Sequence, residues 1–235
     1  MAFPIRWRYA RAMLDMLTDA LDGATGWFFA MILQPGLYAA GLMGWEEEAY
    51  RWAGFLLLGL LQVAVVYLVC RPLEAWQPVE PRHDRRAIRT DVVYTLLARL
   101  GILPLIAFAL FTGVESRISG WLAEAGYVSP SLEVLFPPLR DWPVLTFLLY
   151  VVVLDFGEYW RHRLQHALPW WWALHAIHHA QTQMTFWTDD RNHVIDDLIG
   201  AAWVGGIALL IGIPPEQFPL ALLILRLAEA MSHAN

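Results

Sequence analysis

Apolar residues along this chain fall in long runs, rather than in the narrow stripes of a soluble helix or the alternation of a half-buried strand. Five or six of these runs approach the roughly 20 residues that a helix needs to cross bilayer hydrocarbon. They lie at 24–43, 53–71, 92–112 and 143–160, followed by a shorter pair at 198–212 and 216–231. The short pair meets at Gly212-Ile213-Pro214-Pro215 and reads as a hairpin that enters and returns. Glycine and proline inside such runs are tolerable because neighbouring helices re-satisfy the freed backbone groups. Residues 1–22 contain acids and lack a small-residue cleavage site after an apolar core, so they read as an amphipathic, surface-lying lead-in and not as a signal peptide. The expected fold is all-α: an integral membrane bundle of about four transmembrane helices plus a short helical hairpin, with a histidine-rich helical cap. Its organisation is expected as a lead-in at 1–22, transmembrane helices at 23–142 and a histidine-bearing unit at 143–235.

Composition agrees with this pattern. Of 235 residues 58% are hydrophobic and 16% charged, too apolar for an average soluble domain. All sixteen basic residues are arginines, scattered in short loops, which argues against a nucleic-acid partner. Sorted by side, Arg6, Arg8, Arg11, Arg71, Arg82, Arg85, Arg86, Arg89, Arg161, Arg163 and Arg191 gather on one face, against Arg51, Arg117 and Arg140 on the other. The positive-inside rule then puts the amino terminus and the segment from Trp160 to about Asp197 in the cytoplasm, and Glu46-Glu47-Glu48 outside. Arg99 and Arg226 lie within the apolar runs. With Cys70 as the single cysteine, there is no intramolecular disulfide and no thiolate metal site, so any metal must be held by His, Asp or Glu.

Seven of the eight histidines fall between 162 and 233, and five of them within eighteen residues. His162 and His166 are four apart and share one helical face, with Asp155 and Glu158 continuing that face backwards. Pro169 interrupts the helix, and Trp170-Trp171-Trp172 suits an interfacial aromatic belt. His175, His178 and His179 follow at i, i+3 and i+4, again a single stripe on the next helical stretch. Two such stripes joined by a tight turn offer more nitrogen ligands than one zinc ion uses, so two metals are the economical reading. The donor set suits iron, zinc, copper or nickel better than magnesium or calcium. His83, amid Arg82, Arg85 and Arg86, reads as a solvated loop residue. His193 and His233 stand open between metal contact and none. Asp155 and Glu158 could be ligands, partners that orient imidazole N–H groups, or interfacial acids paired with Arg161.

Three other classes compete. A zinc hydrolase would need an H-E-x-x-H motif or an obvious general base, and only Glu158 is near. A bis-histidine haem protein takes one histidine from each of two facing helices, not crowded stripes. A metal transporter would place its polar residues near the bilayer midplane. The chain shows no Rossmann glycine pattern, so no bound NAD or flavin is expected.

Asp155 to His166 reads D-F-G-E-Y-W-R-H-R-L-Q-H, and Trp172 to His179 reads W-A-L-H-A-I-H-H. These segments resemble the histidine boxes H-x3-H and H-x2-H-H of the fatty acid hydroxylase and sterol desaturase superfamily. The likeness continues through Met184-Thr185, Arg191-Asn192-His193, Asp197 and Ser232-His233-Ala234-Asn235. His193-Val194 stands where the family often has His-Pro. The resemblance implies an integral membrane diiron oxygenase that hydroxylates or desaturates a C–H bond of a fatty acid, sterol or related lipid, using dioxygen and electrons from a cytochrome b5-like or ferredoxin-type donor. It implies two iron ions, with His162, His166, His175, His178 and His179 as ligands, His233 a sixth and His193 a further candidate. Asp155 and Glu158 would orient those ligands, and 143–235 would be the fatty acid hydroxylase-like domain. The sequence stops at Asn235, ahead of any third H-x2-H-H box, so the same resemblance implies an incomplete, labile site, and an inactive metal-binding remnant is the alternative.

Overall fold

The computed structural model describes residues 4–80, 84–100, 102–127 and 130–234, and all regular structure among them is helical. His83 lies outside the described residues. The first helical path runs without interruption through the expected lead-in: α1 spans Pro4–Phe28, a π-turn covers Phe29–Leu33, and α2 covers Gln34–Ala39. Pro35 supplies no N–H, and just ahead of it the hydrogen-bond ladder widens, the Gln34 N–H reaching the Phe29 carbonyl five residues back. The lead-in and the run at 24–43 are therefore one helical path rather than two elements.

α3, Glu46–Trp76, contains the run at 53–71 and opens on three glutamates, which suit the positive end of the helix dipole. The run at 92–112 is divided between α4, Arg85–Leu100, and α5, Ile102–Glu124. After the single turn of α6, Leu132–Leu135, comes α7, Pro143–Ala167, which continues well past the apolar run at 143–160. This extension matters, because it puts His162 and His166 on the same rod as the apolar segment. α8 is Pro169–His175, α9 Val194–Ile211 and α10 Phe218–His233. Gly212 closes α9 with φ of 61°, the left-handed conformation that glycine adopts most cheaply, and Pro214-Pro215 lie in the turn to α10.

Among the described residues, three helical segments are long and apolar enough to cross a membrane: Met43–Trp76, Pro143–Ala167 and Val194–Ile211. Their apolar windows are only 28%, 22% and 11% buried by protein, so most of that surface faces outward, as lipid-facing surface does.

α7 is the central post, touching α1, α8, α9 and α10. Phe147, Tyr150 and Leu154 lie on one of its faces and form the main core with Ala208 of α9, Ile213 of the turn, and Ala221 and Leu225 of α10. The buried Tyr150 hydroxyl donates to Glu133 Oε2 at 2.8 Å and accepts the Leu132 N–H at 3.0 Å, tying α6 to the post. Cys70 of α3 is buried with Phe186 and Ala230, a packing role. Nearer the histidines, Gly157 lets α9 lie close: a Cβ there would collide with the Ile207 side chain, and the Trp203 indole N–H donates to the Gly157 carbonyl at 3.0 Å. The middle and carboxyl-terminal half of α9 are thereby set beside the part of α7 just ahead of His162.

Candidate metal centre

α7 presents His162 and His166 one turn apart, as their spacing requires. Leu168 is extended and Pro169 begins α8, where its missing N–H costs nothing. α8 ends at His175, and His178–Ala180 form a separate 3₁₀ turn. The expected single stripe of His175, His178 and His179 is therefore broken, because the helix does not continue through it. The turn sends the two adjacent imidazoles apart. His178 Nε2 lies 3.0 Å from Nε2 of His233, and His179 Nε2 lies 3.1 Å from Nε2 of His166, which is itself 3.1 Å from Nε2 of His162. One ring nitrogen from each of His162, His166, His175 and His179 falls within 4.8 Å of the others. His175 and His178 stack at 5.1 Å between ring centroids and join the group of four to the pair.

These separations fit metal coordination. With metal–nitrogen bonds of about 2.1 Å, two ligands at right angles sit about 3.0 Å apart. Hydrogen bonding alone accounts less well for the geometry: His166 Nε2 is equally close to two other Nε2 atoms, whereas a neutral ring nitrogen has either one proton or one lone pair to offer. Nε2 of His175 and Nδ1 of His178 are buried without a hydrogen-bond partner, a costly state for atoms that have nothing to bind. Burial, reinforced by His233 and the other imidazoles, pushes the His178 ring down to about 3, and burial together with His175 also lowers His179. Both are thus kept in the neutral form that binds metal.

Among the described residues, neither of the two acids expected to orient the imidazoles makes a hydrogen bond to a histidine. Asp155 is exposed, with no described hydrogen bond to a histidine. Glu158 Oε2 accepts two N–H groups of Arg161, at 2.8 and 2.6 Å, so it is the arginine's partner, the third of the readings its position allowed. His193 caps α9, its Nδ1 accepting the Ile195 N–H at 3.1 Å, and the described ring contacts that knit the other six histidines together do not include it.

The histidines are held from elsewhere. The Asp196 carboxylate, buried in the first turn of α9, lies 3.1 Å from Nδ1 of His175 and also takes the Gln165 amide and the Trp171 indole N–H. His233 Nδ1 is 2.9 Å from the Glu229 carbonyl and 3.3 Å from Asp189 Oδ1. Asp189, whose carboxyl burial pushes above its ordinary range, belongs to a half-buried ionic group: Arg226 pairs with Glu229 at 2.5 Å and reaches Asp189 at 3.9 Å, while Arg99 pairs with Asp190. Arg99 and Arg226, the two arginines within the apolar runs, are accommodated in this way. Asp196 escaped the sequence because an acid in the first turn of a helix ordinarily serves the helix dipole, and nothing local says that its side chain turns toward a histidine 21 residues away.

The geometry defines a helical membrane protein with a histidine cluster at the base of its central helix. The fatty acid hydroxylase family model matches residues 147–235 of this chain. A relative, the ornithine lipid hydroxylase OlsE of Rhizobium tropici, is 30% identical over 213 residues, covering 87% of this chain. The chain spans 60% of that relative's length. No solved structure matches.

Proposed function

We propose that this chain carries the metal-binding part of a membrane diiron oxygenase that hydroxylates or desaturates a lipid C–H bond with dioxygen and external electrons. The observation that carries this reading is the convergence of six imidazoles in two linked groups, His162, His166, His175 and His179 on one side and His178 and His233 on the other, at separations suited to coordination. Two groups suit two ions. His193 is the weaker ligand candidate, because its Nδ1 is already taken by the α9 backbone. Bound iron would supply the dioxygen chemistry that no side chain offers.

The chain's own contribution is to present neutral nitrogens on rigid elements and to bring a lipid to them. The cluster lies at the end of an apolar, outward-facing helix, so an acyl chain can remain in hydrocarbon while a more polar portion reaches the histidines. A polar membrane lipid is the substrate class we favour, in keeping with the relative's activity on ornithine lipid. Electrons would come from a cytochrome b5-like or ferredoxin-type donor on the cytoplasmic side, where the arginine distribution also places the amino terminus. About four crossings and a hairpin formed by α9 and α10 remain the topology that best fits this arrangement.

The test is product analysis. The purified chain, loaded with ferrous iron and given a chemical reductant, dioxygen and total membrane lipid, should yield lipids heavier by one oxygen or lighter by two hydrogens. His162→Ala should abolish the product. A chain that retains iron yet leaves every lipid unchanged would overturn the oxygenase reading.

A further inference from the structure

Asp196 is almost completely buried, as are the three side chains that surround it, Gln165 of α7 and Trp171 and His175 of α8. Gln165 Nε2 lies 2.8 and 2.9 Å from the two carboxylate oxygens, the Trp171 indole nitrogen 2.7 Å from Oδ1, and His175 Nδ1 3.1 Å from Oδ2. The indole can only donate, and the glutamine turns its amide N–H₂ inward while its own oxygen is left without a partner. The carboxylate thus accepts on every side. An acceptor opposite Nδ1 places a proton there, and in the neutral ring that leaves Nε2 as a bare lone pair. That Nε2 is the buried, unpartnered atom of His175, and its ring lies 4.9 Å from the rings of both His162 and His179.

From this geometry we propose that Asp196 is a positioning residue: it fixes His175 with the proton on Nδ1 and the Nε2 lone pair aimed into the histidine cluster. The proposal rests on the metal reading above and deepens it. The carboxylate comes from α9 and its three donors from α7 and α8, so one buried anion sets the rotation of the ring across the break at Leu168. A carboxylate opposite the second ring nitrogen also makes the ligating nitrogen more basic, the usual arrangement around metal-bound imidazole. Asp155 and Glu158, nearer the first histidine pair in sequence, lack this contact.

The experiment uses the full chain in detergent and two readouts. In metal-free protein labelled with nitrogen-15 at histidine, the His175 signals, assigned by their loss in His175→Ala, should show a protonated Nδ1 and an unprotonated Nε2. Ferrous iron or cobalt titration should then show affinity falling about 10- to 100-fold in Asp196→Asn. Trp171→Phe, which removes another donor from the same carboxylate but leaves the His175 contact, should retain affinity within a few-fold. Equal losses in the two variants would reduce Asp196 to a structural knot and overturn the proposal, as would an Nε2-protonated His175 in the unmutated chain. If Asp196→Asn does not fold, the tautomer of the unmutated chain decides alone. His175→Ala separates this idea from its premise: unchanged metal affinity there would sink the metal reading itself, whereas weakened binding there with unchanged affinity in Asp196→Asn would sink only the positioning role.

Discussion

His178 is one residue through which acidity should act on the metal-free fold. Burial holds its ring neutral down to about 3, against an ordinary value of 6.5 in the unfolded chain. Between those values the unfolded chain takes up a proton that the folded chain refuses, so unfolding binds protons and stability falls as pH is lowered from 6.5 toward 3. Because the raised carboxyl of Asp189 acts in the opposite sense over the same range, His178 is read as a difference: between pH 7 and pH 4 the unfolding midpoint should shift further toward instability in the unmutated chain than in His178→Gln. A midpoint equally pH-dependent in both would show that His178 is not the responsible group. At this scale the ligand candidates were legible because four-residue and three-residue spacings are local facts, and His233 because its segment resembled the family. The Asp196 and Asp189 contacts were not legible. They depend on where α9 and the 3₁₀ turn at Thr188–Asp190 settle in space, which no local pattern encodes.

Close approach of helices is decided by single glycines. A Cβ at Gly59 of α3 would collide with the backbone carbonyl of Arg99, an atom that cannot swing away, and Arg99 in turn pairs with Asp190. Gly59→Ala should therefore destabilise the chain by about 1–3 kcal/mol, the usual cost of overpacking, whereas Gly113→Ala, with nothing within 4 Å, should be neutral or slightly stabilising. Unfolding midpoints of the two variants check this, and an unaffected Gly59→Ala would mean that α3 and α4 do not pack as described. The apolar runs located α3, α7, α9 and α10 but not their ends, and the run at 92–112 falls across two helices. The 143–160 run extends to Ala167 because polar residues on a helix that leaves the hydrocarbon break the hydrophobic signal without breaking the helix. The stripe at 175–179 failed for the converse reason: spacing that is compatible with a helix does not oblige the chain to form one, and here a 3₁₀ turn lets His178 and His179 face different partners.

For the molecule as a whole, the arginine distribution and the histidine cluster make a joint claim about sidedness. Cys70 is buried, so introduced cysteines at exposed positions can be read against a low background. Glu47→Cys should react with a membrane-impermeant reagent on intact cells, and Thr182→Cys, close to the second histidine group, only after permeabilisation. The opposite pattern would invert the topology and remove a cytoplasmic electron donor from the account. The all-helical membrane architecture was legible because a long apolar run has few other uses, while the packing of α7 against α1, α9 and α10 needed the three-dimensional structure.

Whether the clustered imidazoles hold metal is decided by elemental analysis of the detergent-purified chain. Close to two iron ions per chain are expected, lost in a variant carrying His175→Ala, His178→Ala and His179→Ala together. A chain that binds no iron after reconstitution, or a triple variant that keeps its full complement, would contradict metal binding by the cluster.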